Sequence, residues 1–284
     1  MIEKCFNHIN IAKNLCLCYN AIKGGADLVF RELVFDLYGT LVDIHTEETD
    51  LVWEKTAFFF GFHGARYSSS ELKAAFSMEL ARREAKAGQS YECFPDIPFE
   101  QVMSSLFAAK GIADTDGLGL QAAQLFRISS LEYIRLYPNV LDALARLRQA
   151  GCRLWLLSNA QRAFTANELR LLGLESYFDG IYISSDYDCR KPDLRFYQAL
   201  LVEQKLDASQ CLMIGNDRFT DIAGAKNAGM ATLYMHTALT PAEQKPADPQ
   251  LHPQNAGDVR HFEYEGDDWN DLGAILLNMV KTHR

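Results

Sequence analysis

The chain has 284 residues, of which 48% are hydrophobic and 23% are charged, the balance of an ordinary soluble globular protein that can bury a substantial core. Its formal net charge of -9 argues against nucleic acid or an anionic membrane surface as a partner. No apolar run approaches the roughly 20 residues that a membrane-spanning helix needs.

The first segment, residues 1–27, is predicted to be an N-terminal extension of the folded core. Its apolar residues recur at a loose helical spacing that ends at Gly24 and Gly25, so we expect an accessory helix or a partly disordered arm. The short apolar stretch at residues 15–19 does not fit a secretory signal, which has about 7–15 apolar residues after a basic start. We assign this segment no chemistry.

The first predicted strand ends in a carboxylate. Residues 28–35 are largely apolar and β-prone, Asp36 follows them, and Gly39 and Thr40 form a turn. A buried strand would deliver Asp36 to the sheet edge where ligands bind, and the turn of Tyr38, Gly39 and Thr40 would offer backbone N–H groups to an anion. The alternative interpretation is that Asp36 only opens a turn.

The next part of the chain is predicted to be helical. Residues 41–46 are expected to form a loop, and residues 47–136 show helical spacing without a strand. The predicted helices cover residues 48–60, a stretch that begins at residue 70, 101–109 and 120–134. A loop with two prolines, residues 88–98, interrupts them and could line a pocket.

From Tyr137 onward, strands and helices alternate. The predicted strands are residues 153–157, 180–183, 211–214 and 232–235, with a further edge strand at 259–264. Helices are predicted between Pro138 and Gly151, near 165–172, and at 194–202, 220–228 and 269–280, and residues 238–257 are predicted to be a surface loop. This alternation is typical of an α/β fold with a parallel sheet covered by helices on both faces.

Polar groups follow the later strands as well. Ser158 and Asn159 follow residues 153–157, Lys191 precedes a proline in a loop, and Asp217 and Asp221 follow residues 211–214. Each has a simpler interpretation: a helix entry for the first pair, a solvated lysine, and a helix cap for Asp217 with Asp221 as a first-turn acid. Four such segments in this order are more specific than any one of them.

A nucleophilic carboxylate, a hydroxyl, a lysine and an acid pair in this chain order resemble the haloacid dehalogenase superfamily of hydrolases, over residues 34–230. The resemblance implies a Rossmann-like core (residues 28–45 and 137–284) with an all-α cap domain inserted after the first strand (residues 46–136). It also implies that Asp36 is the nucleophile, which forms a covalent ester that water later hydrolyses.

The other roles follow from the same resemblance. Ser158 and the backbone N–H of Asn159 would hold a phosphoryl oxygen, and Lys191 would neutralise Asp36 and the transferring group. The ligands of a Mg²⁺ ion would be the Asp36 carboxylate, the Tyr38 backbone carbonyl and Asp217, with Asp221 behind them. The family more often has Gly-Asp where this chain has Gly215, Asn216 and Asp217.

Tyr38 is the informative departure. The family's phosphatases usually have a second aspartate there as the general acid, whereas the superfamily's 2-haloacid dehalogenases have tyrosine. A phenol with a pKa of about 10 is a poor acid for an alkoxide. The chain could be a phosphatase whose acid is supplied elsewhere (Asp43, His45 or a cap residue), or a phosphatase whose substrate has a good leaving group. It could instead be a dehalogenase, because Lys191 followed by Tyr197 also resembles the dehalogenases.

We favour the Mg²⁺-dependent phosphatase, acting on a small phosphorylated metabolite. A dehalogenase needs no metal, and two unpaired acids beside Asp36 would repel it unless a cation were present. The alternatives are a 2-haloacid dehalogenase-like hydrolase and a non-catalytic protein that binds phosphorylated ligands. The expected partner is a small molecule, and the protein is expected to be a monomer or homodimer.

Two further features have mainly structural interpretations. Arg82, Arg83 and Lys86 could bind a second anionic group of the substrate, although a solvated helix face is the simpler interpretation. The seven cysteines form no C-x-x-C motif, which favours reduced thiols in a cytoplasmic protein, with Cys152 and Cys211 as small buried hydrophobic residues.

Overall fold

The computed structural model describes residues 30–87, 94–241 and 260–280. The predicted N-terminal extension and most of the predicted loops at residues 88–98 and 238–257 lie outside these ranges. Within the described residues the strands are β1 (Glu32–Phe35), β2 (Val42–Thr46), β3 (Leu131–Leu136), β4 (Arg153–Ser158), β5 (Gly180–Ile183), β6 (Cys211–Gly215), β7 (Ala231–His236) and β8 (His261–Glu265).

The helices of the described residues are α1 (Asp50–Phe62), α2 (Ser69–Ala87), α3 (Phe99–Ala108), α4 (Leu118–Ser130), α5 (Val140–Gln149), α6 (Arg162–Leu171), α7 (Leu194–Glu203), α8 (Gly224–Asn227) and α9 (Trp269–Val280). A wider helical turn, Arg218–Ala223, leads directly into α8. No helix in the described part of the chain is long and apolar enough to cross a membrane.

A parallel sheet forms the centre of the fold, in the strand order β5-β4-β1-β6-β7-β8. β1 lies between β4 and β6, with Phe35 opposite Leu156 on one side and Ile214 on the other. β1, β6 and nearly all of β4 are buried, as expected for parallel strands covered on both faces. The α/β parallel-sheet prediction is confirmed.

Helices cover both faces of this sheet, and the side chains of β1 alternate between the two faces. Leu33 and Phe35 belong to a core cluster that includes Leu144 of α5 and Leu276 of α9. Val34 points the other way, into a cluster with residues of α7, among them Phe196 and Leu200. Each face is therefore sealed by its own apolar core.

The helices α1 to α4 form a block with a core of its own. This helical insert, residues 50–130, packs Trp53, Phe60, Met103 and Phe107 against one another, with the rings of Phe60 and Phe107 stacked 3.9 Å apart. A separate core is what an inserted domain needs in order to fold beside the sheet.

Two predictions were wrong here: residues 41–46 were expected to form a loop, and residues 47–136 were expected to contain no strand. β2 and β3 pair antiparallel as a two-stranded ribbon at the base of the insert, where a loop and the end of a helix were expected. The reason is a period-2 pattern in β3: Ile134 and Leu136 pack on the main core, whereas Tyr133 and Arg135 are exposed. The helix predicted at residues 120–134 ends at Ser130.

Candidate active site

The predicted nucleophile lies at the carboxyl edge of the sheet. Asp36 directly follows β1, and its backbone N–H donates to the Ile214 carbonyl of β6 at 2.9 Å. Because all the strands of this sheet run parallel, the residues after β1, β4 and β6 meet at one edge. The side chain of Asp36 is mostly buried there, with 11% of its surface exposed.

A buried lysine joins two of the predicted acids. Nζ of Lys191 lies 2.7 Å from Oδ1 of Asp36 and 2.6 Å from Oδ1 of Asp221, and it also donates to the Leu157 carbonyl at 2.8 Å. These three acceptors satisfy all three N–H groups of an ammonium that is 1% exposed. Burial alone would lower the pKa of Lys191, but the negative charges of Asp221 and Asp36 outweigh it and raise that pKa above its usual value.

Asp221 is occupied on both oxygens. Oδ1 contacts Lys191, and Oδ2 accepts a hydrogen bond from the backbone N–H of Asp217 at 3.0 Å. Burial raises the pKa of Asp221, repulsion from Asp36 raises it further, and Lys191 opposes both effects. Gly215 makes room for this carboxylate, since a Cβ there would lie 2.3 Å from Oδ2. Both carboxylate oxygens of Asp221 therefore have protein partners.

Asp217 caps the helical turn that follows it. Its Oδ1 accepts from the backbone N–H groups of Phe219 and Thr220, both at 2.8 Å, as the simpler sequence interpretation expected. The hydrogen bonds accepted by the carboxylates of Asp217 and Asp36 all fall on Oδ1 within the described residues, which leaves Oδ2 of each for another partner.

These donors fit a hydrated Mg²⁺ ion better than a cage of protein ligands. No group of three or more histidine, cysteine, aspartate or glutamate side chains is placed to hold a metal within the described residues. Mg²⁺ commonly keeps several waters and takes one or two carboxylates together with substrate phosphates. Two carboxylates with open oxygens, Asp36 and Asp217, are compatible with that pattern.

Ser158, at the end of β4, carries an unsatisfied hydroxyl. Its Oγ is buried and has no hydrogen-bond partner among the described residues. The carbonyl of the preceding residue, Leu157, accepts a hydrogen bond from Lys191. Ser158 is therefore the chain neighbour of a residue that contacts the lysine-acid cluster, which consists of Lys191, Asp36 and Asp221. Leaving such a group unpaired costs about 1–3 kcal/mol, which a ligand oxygen would recover.

Asn159 fixes the lysine. Its Oδ1 accepts from the backbone N–H of Lys191 at 2.7 Å, and its Nδ2 donates to the Lys191 carbonyl at 2.9 Å. This reciprocal pair holds the backbone of a loop residue against the end of β4. The side chain of Asn159 is thus used to position Lys191, and only its backbone N–H is left for the predicted substrate contact.

The turn after Asp36 depends on Asn216, which sequence reasoning treated only as a departure. Gly39 has φ +83°, and a Cβ on it would lie 2.2 Å from Nδ2 of Asn216. Asn216 accepts from the Thr40 hydroxyl at 3.2 Å, and the Thr237 hydroxyl donates to the Gly39 carbonyl at 2.7 Å. Glycine is therefore required at this position for both conformation and space.

Tyr38 is held by residues that sequence reasoning missed. Its hydroxyl donates to Oε2 of Glu168 on α6 and lies 3.0 Å from the Thr165 hydroxyl. Glu168 also pairs with Arg127 of α4, whose Nε lies 2.6 Å from Oε1. Burial, followed by the charge of Glu168, raises the pKa of Tyr38. The sequence contains no signal for this contact, because the burial of Glu168 is visible only in the fold.

The other candidate acids and cations have partners elsewhere. Asp43 accepts from Arg135 in the ribbon, and His45 is about half exposed beside Glu132. Arg82 and Arg83 both bind Glu79 on their own helix, which agrees with the simpler interpretation of that basic cluster. Tyr197 is buried, and its hydroxyl donates to the backbone carbonyls of Thr220 and Asp221.

Comparison with protein-family models identifies one that covers well over half of the chain. Residues 31–229 match the model described as haloacid dehalogenase-like hydrolase. The match includes every residue of the lysine-acid cluster. It also includes the helical insert and the β2–β3 ribbon.

Similar proteins include several phosphatases. The chain is 32% identical over 111 residues to the glyceraldehyde 3-phosphate phosphatase of Methanothermobacter thermautotrophicus, covering 39% of this chain and 49% of that protein. It is 27% identical over 221 residues to the phosphoglycolate phosphatase of Mesorhizobium japonicum, covering 76% and 87%. The chain spans about half the length, or less, of the first relatives that it matches.

Solved structures share the fold. A 2-haloacid dehalogenase from Pseudomonas syringae superposes with a TM-score of 0.58 at 20% identity, covering 88% of this chain and 99% of that one. A HAD phosphatase from Thermococcus onnurineus has a TM-score of 0.52 at 19% identity, covering 87% and 97%. Phosphatase and dehalogenase thus share this architecture, and the choice between them depends on the site.

Proposed function

The chain belongs to the haloacid dehalogenase-like hydrolases, and we propose that it is a Mg²⁺-dependent phosphatase that acts on a small phosphorylated metabolite. The observation that carries the proposal is the cluster at the sheet edge. There the buried Lys191 contacts the Asp36 and Asp221 carboxylates, and Asp217 leaves one oxygen open. The phosphatase names of the relatives support the same activity.

Asp36 is the proposed nucleophile. Its carboxylate oxygen attacks phosphorus to form an aspartyl phosphate, and water then hydrolyses that ester. The phosphoryl oxygens would be held by the Ser158 hydroxyl and by backbone N–H groups of Asn159 and of the turn Tyr38, Gly39 and Thr40. Lys191 offsets the charge of Asp36 and keeps its carboxylate in one orientation.

The metal is part of the proposal. Asp36, the Tyr38 carbonyl and Asp217 would hold Mg²⁺, with Asp221 behind them, and the bound ion would neutralise charge on the transferring phosphate. The Oδ2 atoms of Asp36 and Asp217 support this assignment. Asp221 supports it indirectly, because both of its oxygens already have partners.

We propose a two-part organisation for the same activity. Residues 28–45 and 137–284 would form the Rossmann-like core and residues 46–136 the cap domain, with residues 1–27 as an extension. The separate core of the helical insert and the β2–β3 ribbon at its base support this division. A cap over the strand ends would exclude water and contact the substrate.

The dehalogenase remains the second candidate because of Tyr38. A halide leaves without a proton, so a tyrosine in place of an acid is no handicap there. The open oxygen on Asp217 favours the phosphatase, since dehalogenation needs no metal. A protein that only binds phosphorylated ligands is the third possibility.

One set of assays separates the three. Purified protein is incubated with p-nitrophenyl phosphate in Mg²⁺ or in EDTA, and with 2-chloropropionate. We expect phosphate release that requires Mg²⁺ and is abolished by Asp36→Asn, with the circular dichroism spectrum unchanged. Chloride release would favour the dehalogenase, and no turnover at all would favour the binder. Full activity of Asp36→Asn would refute the mechanism.

Two lesser points complete the proposal. The described cysteines, Cys152, Cys189 and Cys211, are free and buried, which is compatible with a cytoplasmic enzyme. Burial raises the pKa of Cys152 to about 11, which suits a structural rather than a reactive thiol. We propose a monomer or a homodimer with a small-molecule substrate.

A further inference from the structure

The first chemical step determines which leaving groups the site can release. The Asp36 carboxylate forms a bond to phosphorus, and the bond from phosphorus to the leaving oxygen breaks with its electron pair on that oxygen. An alkoxide needs a proton at this moment, whereas a carboxylate, an enolate or a phosphate departs as a stable anion. A positioned acid typically accelerates the alkoxide reaction by about 10²–10⁴-fold.

The acidic hydrogen nearest to Asp36 along the chain, that of the Tyr38 hydroxyl, is already used in a hydrogen bond. The Tyr38 hydroxyl donates it to Oε2 of Glu168, an acceptor whose other oxygen pairs with Arg127. The hydroxyl also lies 3.0 Å from Thr165. Four side chains from the turn, α4 and α6 thus satisfy one another, and moving the Tyr38 proton to a leaving group would break a charge-assisted hydrogen bond.

Three further carboxyl groups of the described residues, those of Asp221, Asp217 and Asp43, also accept hydrogen bonds. Oδ1 of Asp221 accepts from the Lys191 ammonium and Oδ2 accepts from the Asp217 N–H, so both oxygens already serve as hydrogen-bond acceptors. Oδ1 of Asp217 accepts hydrogen bonds from two backbone N–H groups. Asp43, in the ribbon, accepts from Arg135 at 2.8 Å. Each of these carboxyl groups is placed to accept hydrogen bonds rather than to donate a proton to a leaving group.

We propose, building on the phosphatase function above, that this site selects phosphoryl donors with stable anionic leaving groups, namely acyl phosphates and phosphoanhydrides, over alkyl phosphate monoesters. In the first step the donor phosphoryl group passes to Asp36 and the leaving group departs as a carboxylate or phosphate without a proton. In the second step water attacks phosphorus, its protons stay with the released phosphate, and the Asp36 carboxylate is regenerated. Atoms and charges balance without a further reactant.

The wild-type enzyme gives the primary test. Acetyl phosphate is compared with ethyl phosphate, and a series of ring-substituted phenyl phosphates is compared with benzyl phosphate, which matches them in shape. The value of kcat/KM reports the steps up to the aspartyl phosphate, so slow hydrolysis of that ester does not mask the effect. We expect acetyl phosphate to exceed ethyl phosphate by at least about 100-fold, with kcat/KM falling steeply as the phenol becomes more basic.

Two results would overturn the inference in distinguishable ways. A kcat/KM for ethyl phosphate within tenfold of that for acetyl phosphate would show that a general acid operates. A kcat/KM that does not change with the basicity of the phenol leaving group would show the same. Either result would leave the phosphatase function intact. Turnover of none of these phosphates, with or without Mg²⁺, would end the proposed function and this inference together.

A variant tests the role assigned to Tyr38. If its phenol gives no proton to the leaving group, Tyr38→Phe changes kcat/KM by the same factor for all members of the phenyl series. If the phenol is the acid, the loss grows with leaving-group basicity and the slope steepens. Tyr67→Phe is the matched control, because Tyr67 loses a hydrogen bond to the Leu106 carbonyl in the helical insert, remote from Asp36 in the chain. It should preserve the wild-type slope.

Discussion

Removing the ammonium of Lys191 should strongly destabilise the folded state. Lys191→Met keeps an unbranched apolar chain but leaves Asp36 and Asp221 facing each other without their cation, in a place where Lys191 is 1% exposed and Asp221 is 1% exposed. Breaking a buried ion pair by removing one partner costs about 3–5 kcal/mol. Total stabilities of domains are about 5–15 kcal/mol, so this loss is easily measured.

The double variant tests the physical reason. Asp221→Asn keeps the shape of the side chain and can still accept from the Asp217 N–H, but it removes one of the two charges that face Lys191. We therefore expect Lys191→Met with Asp221→Asn to lose less stability than the sum of the single variants, by about 0.5–3 kcal/mol. Repulsion between unpaired carboxylates is the source of that difference.

The assay is urea unfolding in EDTA, followed by tryptophan fluorescence, because Trp155 and Trp269 are buried in the two sheet cores. Glu32→Gln is the matched control: Glu32 is a buried acid at the opposite end of β1, bound by the Trp155 indole and by Arg153. This control should lose stability and keep the proposed phosphatase activity. A Lys191→Met variant as stable as the wild type would refute the buried bridge.

Two further substitutions probe the turn and the Tyr38 network. Gly39→Ala places a methyl group against Asn216 on a backbone with φ +83°. We expect thermal unfolding to show a loss of about 1–3 kcal/mol in the free energy of unfolding, together with a lower kcat/KM. Wild-type values of both would show that the turn tolerates a side chain. Arg127→Met leaves the buried Glu168 without its guanidinium and should cost about 3–5 kcal/mol in urea unfolding; adding Glu168→Gln should recover part of that loss, and no recovery would contradict the pairing.

The sheet and the residues at its edge were predictable because both follow from local pattern. Short apolar runs that each end in a polar residue indicate buried strands with chemistry at their carboxyl ends. The structure brings Asp36, Lys191 and Asp221 together there, with Nζ of Lys191 in contact with both carboxylates. The further contact of Lys191 with Asp221 depends on a loop geometry that residue spacing does not encode.

The β2–β3 ribbon and the Tyr38 network were not predictable for a different reason. His45 pairs with Tyr133, and Tyr38 contacts Glu168, across separations of about 90 and 130 residues along the chain. Half-exposed short strands carry a weak period-2 pattern that a neighbouring helix easily hides. The sequence does not distinguish Glu168 from a surface glutamate, and only the fold shows that it is buried.

The charge of the cluster itself argues for a metal during turnover. Asp36, Asp217 and Asp221 bring three negative charges to the sheet edge, and Lys191 is the cation that hydrogen-bonds to two of them. A phosphate dianion that approaches Asp36 would add to this excess, and like charges in a poorly solvated site repel strongly. Lys191 cannot offset the newcomer, because its three N–H groups are already used by Asp36, Asp221 and the Leu157 carbonyl. Asp36 and Asp217, each with one oxygen that no described residue occupies, would hold a divalent ion, and that ion would supply the missing charge for the proposed phosphate substrate.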